Sequence, residues 1–300
     1  MDESFITDEL TARIGVATEP CDVTLTAELV RRVRETLADG PAPASDDVPP
    51  AVMFALEASA PLTRLFGLPE SSLVSGDEWE WRRRLRAGET LRAVSRLVDA
   101  NEHFGGRLGH ALFLRHEWLL SEPSGEPVAF ARRSIAYYVG ADARPPEAHP
   151  PLDAAPPPPA MLPAAVAPRT AREGDPLTPI MQTPTLSQVV RYCGTAWAFT
   201  PIFYDTEAAR AAGLPHTIIP GPLKLAFLSE FVRAWAGPEA ELVSVRAAHR
   251  RPDAPNRPML VCGVVTRAED TPEGRRLECE VWIENEFGQR SVAGAAVVRL

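Results

Sequence analysis

Between Tyr192 and Leu223 the chain reads YCGTAWAFTPIFYDTEAARAAGLPHTIIPGPL, a stretch that gathers groups able to hold a substrate or move a proton. Tyr192, Cys193, Thr200 and Tyr204 offer hydrogen bonds, Asp205 a carboxylate and His216 an imidazole. A positioned carboxylate and imidazole can take or give a proton beside a carbonyl. Each of these residues also has a plainer use. Asp205 opens the segment DTEAARAAG, where a carboxylate caps the free N–H groups of a short helix. The aromatic, thiol and hydroxyl groups can simply pack.

Other polar groups point less clearly to a site. His103, His110 and His116 cluster in the first half, but no HxH or HxxxH spacing suggests a metal. Asp39, Asp46 and Asp47 stand in an acidic, proline-containing turn that fits solvation and capping. Cys21, Cys193, Cys262 and Cys279 are far apart and form no CxxC pair, so neither a zinc site nor a disulfide framework is indicated. Lys224 is the only lysine, and a Schiff base could form nowhere else. No metal or cofactor is expected.

With 300 residues, 45% of them hydrophobic, the chain has material for two cores. A net charge of −9 argues against a sequence-independent nucleic-acid binder and against an anionic membrane surface. No apolar run is long enough to span a bilayer. MDESFITDEL lacks the apolar core of a signal peptide, so a cytoplasmic location is expected.

The elements that must position these groups come twice. Residues 7–37 read as helical, with Thr7 as cap, and a second apolar helix is expected over 51–62. Strands follow at Thr90–Asp99, Ala111–Leu120 and Val128–Val139, the last two joined by the turn PSGEP. Most of the prolines then fall in one block, expected to be an extended linker over 141–180. After it come a helix around Leu186–Cys193 and a helix over Gly221–Ala236 that is apolar nearly all round and so buried. Strands are expected at Leu242–Arg250, Leu260–Arg267, Arg276–Glu284 and Ser291–Leu300. LECEVWIE alternates cleanly between an apolar and an acidic face. The pattern is α+β, duplicated, with domains at 1–140 and 181–300.

Several motifs agree in order and spacing with a known family. Trp79–Leu85 (WEWRRRL), Gly88–Thr90 and GGRLGHALFLRHEW resemble the fatty-synthase-type dehydratase domain at the N-terminus of mesaconyl-CoA hydratase-like proteins. VVRYCG, YDTEAARAAGLP, PGPLKLAFL, VWIENEFGQ and AGAAVV resemble the MaoC-like, type-2 enoyl-thioester hydratases. The resemblance implies a double hot dog, in which each of two antiparallel sheets wraps a central apolar helix. It also implies an acyl thioester of CoA or acyl carrier protein as ligand, and hydro-lyase chemistry.

That family writes Gly-Asp-x-Asn-Pro-x-His in the loop and His-Gly-x-Leu at the helix entry. Its Asp and His serve the water and the α-proton, and N–H groups at the helix start receive the thioester oxyanion. In this sequence the Asp falls on Ala198, the Asn on Thr200, the Pro on Pro201 and the His on Phe203. The helix-entry His falls on Pro220, and its Gly is kept as Gly221. Methyl and phenyl groups cannot move protons, so the usual mechanism is not expected here. The oxyanion donors at the start of the helix remain. Expected substrate contacts are Thr200, Phe203, Tyr204, Gly221, Pro222 and Leu223, with Asp205 and His216 as the candidates for proton transfer. Three functions fit: residual hydratase activity with a relocated acid–base pair, a tailoring enzyme of acyl or polyketide metabolism working by dehydration, isomerisation or cyclisation, or a non-catalytic acyl-binding subunit. That subunit would pair with an active hydratase; a homodimer is the other assembly expected.

Overall fold

Alternating side chains make the strands, and two proline-led turns start the helices they wrap. The structure, a computed structural model, describes residues 4–300 apart from 44, 46, 60–64, 66, 107 and 140–165. In the first half α1 (Asp8–Arg13), β1 (Cys21–Thr24) and α2 (Ala27–Ala38) precede a 3₁₀ turn, Pro50–Val52, that runs into α3 (Met53–Ser59). Strands β2 (Ser71–Trp81), β3 (Thr90–His103), β4 (Ala111–Ser121) and β5 (Pro127–Tyr138) complete it. The second half contains β6 (Pro176–Gln182), α4 (Leu186–Thr195), α5 (Thr206–Ala211) and α6 (Gly221–Ala236). It ends with β7 (Glu241–His249), β8 (Met259–Thr271), β9 (Gly274–Glu284) and β10 (Arg290–Arg299).

Among the described residues, ten strands form one antiparallel sheet ordered β1-β3-β4-β5-β2-β7-β10-β9-β8-β6. The seam between the halves is the β2–β7 pair, running from Gly76 opposite Ala248 to Glu80 opposite Ser244. Against the sheet lies α6, in which Leu223, Leu225, Phe227, Leu228, Phe231 and Val232 are all buried. Each such side chain removed from water contributes roughly 1.5–3 kcal/mol. One hydrophobic cluster takes in Val52, Phe54, Trp79 and Trp118 from the first half and Phe231, Val261, Val281 and Val298 from the second.

Two expectations need correction. Residues 7–37 are not one helix: Pro20 cannot continue a helical ladder, and Cys21–Thr24 pairs with β3 instead. The proline-rich stretch does not stay a linker to residue 180, because Pro176–Gln182 pairs with β8 and Leu177 is fully buried. Of the helix expected over 51–62, the 3₁₀ turn and α3 account for residues 51–59, and the remainder lies outside the described residues. The strand β2 also begins well before the tryptophans that mark it in the sequence.

Candidate active site

Strand alternation puts charge where apolar side chains belong. On β2 the buried positions are Asp77, Trp79 and Trp81, so a carboxylate shares the inner face with two indoles. Directly opposite Asp77 in the register stand Arg133 on β5 and Ala247 on β7. His249 lies two residues beyond Ala247 on the same face, a diagonal neighbour within reach of Asp77. His116 on β4 is opposite Arg133, which extends the row by one strand. From the helix side α3 adds Glu57.

These groups bond in a chain. His249 Nε2 donates to Asp77 Oδ2 at 2.9 Å, and Arg133 Nε donates to Asp77 Oδ1 at 2.6 Å. Arg133 Nη2 reaches Glu57 Oε2 at 2.5 Å, and the Trp79 indole N–H donates to Glu57 Oε1 at 2.5 Å. Burial pushes the Asp77 carboxyl up, but the Arg133 charge and the His249 hydrogen bond outweigh it and hold the group below its ordinary range. At Glu57, on α3, burial prevails over Arg133 and raises the carboxyl to about 7. His249 is pushed down, by burial first and by the charges of Lys224 and Arg133, against the pull of Asp77. A neutral imidazole facing an ionised carboxylate must carry its proton on Nε2. Nδ1 is then a lone pair, and it is buried with no hydrogen-bond partner among the described residues.

The imidazole of His249 packs flat against the start of α6. A methyl group added at Gly221 would lie 2.8 Å from its Cδ2 and Nε2, so only glycine fits beneath the ring. At this helix end Pro222 has no N–H, and the Leu223 N–H goes back to the Pro220 carbonyl at 3.1 Å. The Gly221 N–H is left without a hydrogen-bond partner among the described residues. A cavity of about 470 Å³ opens here. Ala198, Thr200, Ile202 and Phe203 form one wall, Leu73, Phe113 and Ile135 another, and Gly221, Lys224 and His249 a third. Arg250 and Arg251 also line it, and no side-chain partner for either is found among the described residues. Burial raises the hydroxyl of Tyr192 and pushes the Cys193 thiol up to about 11, so neither is poised to ionise near neutrality.

Residues 12–131 match the model of the FAS1-like, dehydratase domain region. Among solved structures, a MaoC-like dehydratase superposes with a TM-score of 0.75 at 18% identity, covering 96% of this chain and 99% of that one. A MaoC-like dehydratase from Phytophthora Capsici gives 0.63 at 14% identity, over 96% of this chain and 97% of its own. A conserved hypothetical protein from Mycobacterium tuberculosis with a double hotdog fold gives 0.62 at 13%, over 95% and 96%. The fold is a double hot dog. It is the fold of the MaoC-like dehydratases, and no curated protein matches the sequence.

Within this double hot dog the expected site residues divide. Thr200, Phe203, Gly221 and Pro222 line the cavity, as does Ala198. Tyr204 is exposed, its hydroxyl bonded to the Phe199 carbonyl at 2.9 Å, and Leu223 is buried in the core; neither lines the cavity. Asp205 is the N-cap of α5, its Oδ1 accepting from the N–H groups of Glu207 and Ala208, and it lies on the exposed side of the loop. His216 sits beside the Thr217 carbonyl at 2.8 Å and is not among the lining residues. The first-half histidines separate as well. His110 stacks on Phe5 and Phe104 and bonds Glu102, His103 meets Phe113 edge-on, and only His116 joins the buried row. Asp39 accepts from Thr185, Asp47 pairs with Arg233, and Asp46 lies outside the described residues. Sequence reading passed over Glu57, Asp77, Arg133 and His249. The signal was present in part: Asp77 alternates with Trp79 and Trp81, and His249 with Val245 and Ala247, on faces otherwise apolar.

Proposed function

We propose that the chain binds the acyl part of a thioester in this cavity and acts on it without the acid and base of the MaoC-like hydratases. One observation carries the reading. Ala198 and Phe203, at the positions that resemble the family's Asp and His, line the cavity together with Gly221, whose N–H has no hydrogen-bond partner among the described residues. An oxyanion donor at a helix start suits a thioester carbonyl. Apolar side chains suit the acyl chain and give no hold to an attacking water. Arg250 and Arg251 would meet the phosphate of a pantetheine carrier, whether CoA or acyl carrier protein. The reactions that fit are tailoring steps on an acyl or polyketide thioester, namely isomerisation, cyclisation or dehydration.

Two measurements test this. The thioether S-hexyl-CoA should bind in calorimetry, and loss of binding on Phe203→Arg would place it in the cavity. Crotonyl-CoA hydration by the wild type should fall roughly 10²-fold or more below that of an Ala198→Asp, Phe203→His variant, since each positioned proton-transfer group contributes about 10²–10⁴. Absence of thioether binding would sink the reading. The apolar wall also favours a second reading, a non-catalytic acyl-binding partner of an active hydratase. Binding with no reaction on any enoyl-, 3-enoyl- or 3-hydroxyacyl-CoA, alone or beside such a partner, would favour it.

A further inference from the structure

The buried row across β4, β5, β2 and β7 ends at the cavity, and nothing in the loop that resembles the hydratase motif accounts for it. We infer that His249, held by Asp77, is the proton-transfer group of this site, and that it moves a proton at the carbon next to a thioester carbonyl. The inference rests on the thioester reading above and names the group that would do its chemistry.

Four observations converge on His249. It lines the cavity beside Gly221, the residue with the free N–H. Its Nε2 is tied to Asp77, which fixes the ring and the tautomer. Its Nδ1 is buried and unpartnered among the described residues, so its lone pair is not taken up by another protein group. Asp77 in turn is oriented by Arg133, which Glu57 holds from the other side, so the carboxylate cannot swing away. A base oriented by a buried carboxylate is the arrangement that makes imidazole an effective proton carrier.

The step balances without a co-reactant. Nδ1 takes a proton from C2 of a 3-enoyl thioester, and the C–H electron pair becomes the C1–C2 π bond of a dienolate. The carbonyl π pair moves to oxygen, where the Gly221 N–H receives it. The imidazolium, facing the Asp77 carboxylate, gives a proton to C4, either the one taken or one exchanged for it with solvent. The carbonyl re-forms and the product is the 2-enoyl thioester. Asp77 is a positioning residue throughout. The reaction that supplies such a substrate leaves a double bond one carbon too far from the thioester, and the one that consumes the product needs a conjugated enoyl group.

The test uses the full chain with hexanoyl-CoA in D₂O and with 3-hexenoyl-CoA. Deuterium uptake at C2, read by mass spectrometry, and conversion to the conjugated isomer are both expected. His249→Gln should lower both roughly 10²–10⁴-fold while S-hexyl-CoA still binds. Asp77→Asn should lower kcat with little change in KM. Exchange and isomerisation that survive His249→Gln would overturn the inference, as would wild-type protein that binds S-hexyl-CoA but neither exchanges nor isomerises. That last result would leave the thioester pocket standing, whereas failure to bind S-hexyl-CoA removes the pocket itself. Should either variant misfold by circular dichroism, ¹⁵N shifts of His249 in the wild type decide. Protonated Nε2 with bare Nδ1 supports the assignment, and the opposite tautomer or a doubly protonated ring overturns it.

Discussion

Two residues show how tightly the site is built. Gly221 has an ordinary helical backbone, so its lack of a side chain is a matter of space. A Cβ there would lie 2.8 Å from the His249 ring, well inside contact distance. Gly221→Ala is therefore expected to displace the imidazole from Asp77, to cost about 1–3 kcal/mol in urea denaturation and to shift the His249 ¹⁵N resonances. His116 shows the electrostatic side. Burial, reinforced by the Arg133 charge, lowers it from 6.5 to about 4, so it is neutral in the fold and protonated in the unfolded chain over that window. Its contribution is complete above pH 6.5 and is lost as pH falls toward 4. Comparing wild type with His116→Leu should expose this as a stability difference that changes by on the order of 3 kcal/mol between pH 7 and pH 4. Glu57 acts in the opposite sense. Raised to about 7, it favours the fold at low pH and loses that contribution as pH climbs from about 4.5 through 7. For this reason the pairwise comparison, and not the wild-type profile alone, isolates His116.

At the scale of elements, the cavity depends on how the first turn of α6 is anchored. Lys224 Nζ donates to the Arg251 carbonyl at 3.1 Å and to Asp253 Oδ2 at 2.9 Å, both side chains of the pair being buried. The Asp253 carbonyl in turn accepts from the Ile219 N–H at 2.8 Å, so helix start and the 250–253 wall are locked together. Lys224→Met leaves a buried carboxylate uncompensated and should cost about 3–5 kcal/mol, most of it recovered by Lys224→Met, Asp253→Leu together. Asp205→Ala, by contrast, removes only a cap from α5 and should cost about 1 kcal/mol by urea midpoint, with S-hexyl-CoA binding kept. The two residues also show what a sequence can reveal. α6 was readable end to end because it is apolar on nearly every side and begins with Gly-Pro. The cap role of Asp205 was readable because it depends on neighbours two and three residues away. The strand β6 was not, since Pro176 and Pro179 resemble a linker and are tolerated only because β6 sits at the sheet edge. The Asp77–His249 pair was hidden for a different reason. Its members are 172 residues apart, and only the β2–β7 seam brings them together.

That seam sets the behaviour of the whole molecule. The sequence suggests two repeats joined by a proline-rich stretch, and two repeats could unfold one after the other. The sheet crosses from one to the other without a break, through five residue pairs between β2 and β7. The core does the same: α6, a second-half helix, packs in one cluster with Val52, Phe54 and Trp79 of the first half. The buried row adds a polar link, because separating the halves would strip His249 from Asp77 and leave that carboxylate with its first-half partner Arg133 alone. Opening the seam alone would thus expose apolar surface on both sides and break the ion network, with little chain entropy gained in return. Unfolding of the two halves should be coupled into one transition. Tryptophan fluorescence follows both halves at once, with Trp79, Trp81 and Trp118 in the first and Trp197, Trp235 and Trp282 in the second. Far-ultraviolet circular dichroism follows the sheet and α6 together. Their urea midpoints are expected to coincide, and a Trp79→Phe variant, which also removes a donor to Glu57, should shift both signals equally. Two separated midpoints, with the variant moving only one, would mean that each repeat holds its own fold and that the shared core contributes less than the continuity of the sheet implies.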